Sequence, residues 1–62
     1  MNEKKLYTEA YGIAETSLAT NEPVYGLVCD YLKMHPRTAA EISISALADK
    51  VYDIMVDFSL DD

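Results

Sequence analysis

Apolar residues recur along this chain at steps of three and four, in three separate blocks. In the first, Tyr7, Tyr11, Ala14 and Leu18 follow one another at four, three and four residues, with Leu6, Ala10 and Ile13 widening the stripe. Lys5, Glu9, Gly12 and Thr16 fall on the opposite side. That division predicts an amphipathic α-helix over about residues 3–19, with Tyr7 and Tyr11 on its core seam. Asn2 is suited to cap it, Glu3 matches the positive end of the helix dipole, and Lys5 and Glu9 stand one turn apart as an ion pair.

Asn21 and Pro23 interrupt the first block. Asn21 can end one helix or cap the next, and proline fits the first turn of a new helix, where its missing N–H costs nothing. A second helix is expected over about 23–34. Val24, Val28 and Tyr31 form its seam, Tyr25 and Leu32 lie on one flank, and Leu27 and Met34 on the other. So wide an apolar arc implies contact on two sides. His35-Pro36 closes it, because a residue before proline is pushed out of the α region.

The third block is the most regular. Ala40, Ile44, Leu47, Val51, Ile54 and Phe58 alternate steps of four and three, and predict one helix over about 39–58. Thr38 and Glu41 have the spacing of a capping box at its start. Ile42-Ser43-Ile44-Ser45 alternates like a strand instead, which predicts a kink near Ser43. The tail, Ser59-Leu60-Asp61-Asp62, is expected to fray. Three helices joined by short links give an all-α fold, a small three-helix bundle forming a single domain over 1–62, with consecutive helices antiparallel.

Size adds a constraint. A core built from 62 residues supplies only about 3–5 kcal/mol. Cys29 is the only cysteine and His35 the only histidine, so neither an internal disulfide nor a structural zinc site can supplement it. Self-association, as a homo-dimer, is the expected supplement. The free thiol suits a reducing compartment. With no apolar run of membrane-spanning length and no apolar stretch after Lys4 and Lys5 to make a secretory signal, the expected location is the cytoplasm.

Charge narrows the partners. The net charge is −6, and it is uneven: residues 1–33 set three lysines against five acids, and residues 34–62 set Arg37 and Lys50 against six. This disfavours direct binding of nucleic acid or an anionic membrane, and permits a basic protein partner. A helix-turn-helix over 36–56 is disfavoured as well, since Lys50 would be the only base on its recognition helix.

Candidate chemistry is sparse. Cys29 has Asp30 beside it, which opposes a reactive thiolate. His35 has no catalytic partner in the pattern, and no residues point to a cofactor or metal, so an enzyme is not expected. The residues left over by the core pattern are more informative. Asp49, Asp53 and Asp57 form an acidic stripe on the third helix, toward an end where acidic groups meet an unfavourable dipole. Tyr52, Val56 and Leu60 form a second apolar line, with Ile42 and Tyr25 as further exposed candidates. The pattern therefore predicts a non-enzymatic protein–protein interaction module that self-associates or binds a basic protein through these eight residues. The alternative is an acidic inhibitor, phage- or plasmid-encoded, that mimics nucleic acid on the basic surface of a DNA- or RNA-handling protein.

Overall fold

The computed structural model describes residues 2–60 and is all-α. Four helices follow in order: α1 (Glu3–Thr20), α2 (Val24–Met34), α3 (Pro36–Glu41) and α4 (Ile44–Leu60). The three long ones make the bundle, and α3 is a six-residue link between α2 and α4.

The ends of α1 form as their residues dictate. Asn2 Oδ1 accepts a hydrogen bond from the Lys5 backbone N–H at 2.8 Å. Asn21 terminates the helix in the left-handed region, at φ 60° and ψ 27°, and its N–H donates to the Ser17 carbonyl. Asparagine tolerates that conformation better than most residues with a side chain. The buried Ser17 hydroxyl donates to the Glu22 carbonyl at 2.8 Å and ties the turn back onto α1. His35 then leaves the helical region at φ −129° and ψ 73°, which ends α2 before Pro36.

The expected helix over 39–58 is two helices. Proline, suited to a first helical position, starts α3 at Pro36 rather than preceding a cap at Thr38. Thr38 is inside α3 and buried, so the Thr38–Glu41 capping box does not start the long helix. The chain breaks at Ile42, extended at φ −143° and ψ 142°. Ser43 then caps α4: its Oγ accepts from the Ala46 N–H at 3.1 Å. The predicted kink is thus a full break. α4 itself runs through Ser59 to Leu60, while the remainder of the expected fraying tail, Asp61 and Asp62, lies outside the described residues.

The core consists of Ala10, Ile13 and Ala14 from α1, Val24, Val28 and Leu32 from α2, and Leu47, Ala48, Val51 and Ile54 from α4. Leu6, Leu27, Tyr31, Ile42, Met55 and Phe58 pack around it half-buried. Two expected seams are corrected by this arrangement. On α1 the buried line is Leu6–Ala10–Ile13/Ala14–Ser17, and Tyr7, Tyr11 and Leu18 are exposed. Small side chains at 10, 14 and 17 let the helix axes approach closely, which tyrosines would prevent. On α4 the seam loses Ala40 and much of Ile44, both exposed beyond or beside the break, and takes in Ala48.

Tyr7 meets Lys50, and Tyr11 meets Phe58, so α1 and α4 advance in the same direction. The result is an up–down–up bundle.

A candidate interaction surface on the outer face of α4

With Leu47, Val51 and Ile54 directed into the core, the opposite side of α4 is left outside the bundle. Tyr52, Val56 and Leu60 recur there every four residues and are 45%, 57% and 77% exposed. The bundle closes without them. Asp49, Asp53 and Asp57 are exposed along the adjoining edge. Lys50, the one base in α4, is half-buried and directed elsewhere: its Nζ is 5.8 Å from the centre of the Tyr7 ring. The Lys50 ammonium is thus turned toward α1 and not toward the aspartate edge.

The remaining candidates separate from this face. Tyr25 is exposed on the first turn of α2. Ile42, expected to be exposed, is half-buried against the core, because the break between α3 and α4 turns its side chain inward. It lines a cleft of about 440 Å³ together with Leu32 and the half-buried free thiol Cys29.

The tyrosines contribute two features that spacing alone did not reveal. Tyr7 and Tyr11 stand 5.9 Å apart on the outside of α1, and Tyr11 continues edge-on to Phe58. On the other side of α1, Glu9 meets Tyr31 instead of pairing with Lys5. Burial pushes the Tyr31 hydroxyl up to about 12, with the hydrogen-bonded and negatively charged Glu9 carboxylate adding to the shift. Tyr31 also stacks on His35, with centroids 4.1 Å apart, and the His35 Nδ1–H donates to the Tyr31 carbonyl at 2.8 Å. Its ring therefore bridges α2 to α1 and to the start of α3.

Among the described residues there is no cluster of three or more His, Cys, Asp or Glu side chains placed to hold a metal, and no helix long and apolar enough to cross a membrane. No family model matches the sequence, and neither a curated protein nor a solved structure matches it significantly.

Proposed function

We propose that this protein is a non-enzymatic protein-interaction module that acts in the cytoplasm and pairs, first of all with a second copy of itself, through the outer face of α4. The observation that carries this reading is the exposure of Tyr52, Val56 and Leu60 along one line, outside a core that is complete without them. Exposed apolar lines of this kind are costly on a monomer and are commonly covered by a partner. A small chain also has the most to gain from a second subunit, since its own core is marginal.

Sedimentation at micromolar concentration tests the proposal. A dimer is expected, and Val56→Glu returns it to monomer without loss of helix content. Salt reads the aspartate edge: two copies bring like charges together, so screening tightens a homo-dimer. A monomer at every salt concentration overturns the self-pairing reading.

The second reading is an acidic inhibitor that occupies a basic groove in place of nucleic acid. Asp49, Asp53 and Asp57, exposed at four-residue intervals, favour it. They rise about 6 Å apart along the helix axis, against about 3.4 Å per phosphate along one DNA strand. So sparse an imitation puts this reading second. Here salt works in the opposite direction, weakening the complex, and replacing the three aspartates by asparagine abolishes it.

A further inference from the structure

A groove of about 560 Å³ runs between α1 and α2 and is lined by residues of these two helices alone. Leu27, Tyr31 and the 78%-exposed Met34 form its α2 wall. Thr8, Gly12 and Thr16 line the α1 side at four-residue intervals. Their hydroxyls are already used: Thr8 Oγ1 donates to the Lys4 carbonyl at 3.0 Å, and Thr16 Oγ1 to the Gly12 carbonyl at 2.9 Å. A Cβ built on Gly12 would meet nothing within 4 Å. The α1 side is thus a low ridge of small residues with no hydroxyl donor to spare, and it admits another helix at close range. From Thr8 to Thr16 it spans about 12 Å, two turns of helix.

Charge selects the occupant. Glu9 Oε2 is shielded from solvent and has no hydrogen-bond donor among the described residues. Asp30 lines the same groove, and no lysine or arginine does. A carboxylate oxygen removed from water without a donor is costly, and a cation restores what it lost.

We propose that the α1–α2 groove is a docking site for an amphipathic helix of a partner protein that carries a lysine or arginine within its apolar face. The cation meets Glu9 and Asp30, the apolar residues cover Leu27, Tyr31 and Met34, and the Gly12 ridge admits the backbone. The added helix completes a four-helix bundle. A second copy of this chain does not supply such a helix. α1, α2 and α4 spend their main apolar faces in the core. Of the lines left over, Tyr7 and Tyr11 on α1 are already engaged with Lys50 and Phe58 of α4, and Tyr52, Val56 and Leu60 are edged by aspartates that Glu9 and Asp30 would repel. This site is separate from the outer face of α4 and is tested independently of it.

The full chain, labelled with ¹⁵N, is titrated with a synthetic leucine-based amphipathic helix of about 18 residues, long enough to hold helix in water, bearing one lysine in its apolar face. Amide shifts at Gly12, Thr16 and Tyr31 are expected. Glu9→Gln weakens binding by at least about tenfold, and a peptide with glutamate in place of lysine does not bind. Gly12→Leu fills the groove and blocks binding while raising the melting temperature by a few degrees, because leucine favours helix more than glycine. Shifts confined to Tyr52, Val56 and Leu60 overturn the proposal. So does unchanged affinity in both Glu9→Gln and Gly12→Leu, or binding at self-association contacts that Val56→Glu removes.

Discussion

The Tyr11 ring meets Phe58 edge-on, with centroids 5.1 Å apart and ring planes at 87°. This geometry sets the positive edge of one ring against the negative face of the other, the favoured arrangement for aromatic pairs. Phe58 also packs against the core near the C-terminal end of α4, so the pair fastens that end to the middle of α1. Truncating both residues in a double-mutant cycle should give a coupling of about 0.5–1.5 kcal/mol beyond the loss of buried area. Urea melts of the two single variants and the double variant measure it. Strict additivity would mean that the rings touch without stabilising each other.

Leu47 is fully buried at the centre of the core. Leu47→Ala should cost about 3–5 kcal/mol, the transfer term plus the cavity left behind. That is comparable to the whole stability of a chain this size, about 3–5 kcal/mol. Far-ultraviolet circular dichroism at 25 °C is therefore expected to show a largely unfolded variant.

Ser43 starts α4 by accepting the Ala46 N–H. Ser43→Ala should remove about 1 kcal/mol and lower the melting temperature by about 4–8 °C. An unchanged melting temperature would mean that the Ser43 hydroxyl adds nothing to the start of α4.

Tyr31 should ionise well above the ordinary phenol range, because its hydroxyl is pushed up to about 12 from 10.0. Between those values the unfolded chain releases this proton while the folded chain keeps it. The contribution of Tyr31 to stability is therefore intact below pH 10 and is lost as pH rises through 12. Absorbance titration of the phenolates follows it directly. Glu9→Gln should bring Tyr31 part of the way back toward its ordinary value, with the effect of burial remaining.

Much of this bundle was legible in the residue pattern, and the departures have a common cause. Val24 and Val28 on α2, and Leu47, Val51 and Ile54 on α4, are buried where their spacing put them. Asn2 and Asn21 bound α1 as their side chains suggest. The rotation of α1 was not legible. Its apolar arc includes Leu6, Tyr7, Ala10, Tyr11, Ile13, Ala14 and Leu18, wide enough to permit more than one seam. Tyrosine reads as apolar in a count of periods, yet its hydroxyl suits a boundary, and alanine reads as weak although it allows the closest packing. The candidate surface divided in the same way. Tyr52, Val56 and Leu60 were recognisable as a line the core did not need, whereas the Glu9–Tyr31 contact and the groove beside Gly12 join residues far apart in the chain.

Local pattern alone was enough for three amphipathic blocks, the caps of α1, the end of α2 before Pro36, the all-α class and the acidic edge of α4. These depend on interactions within a turn or two of helix, which the order of residues specifies directly. Which side of α1 faces inward, whether Thr38 or Ser43 begins the long helix, and where a groove remains open were decided when α1, α2 and α4 packed together. The local pattern there allowed more than one arrangement, and the one adopted buries Ala10, Ala14 and Thr38 and packs half-buried Ile42 against the core.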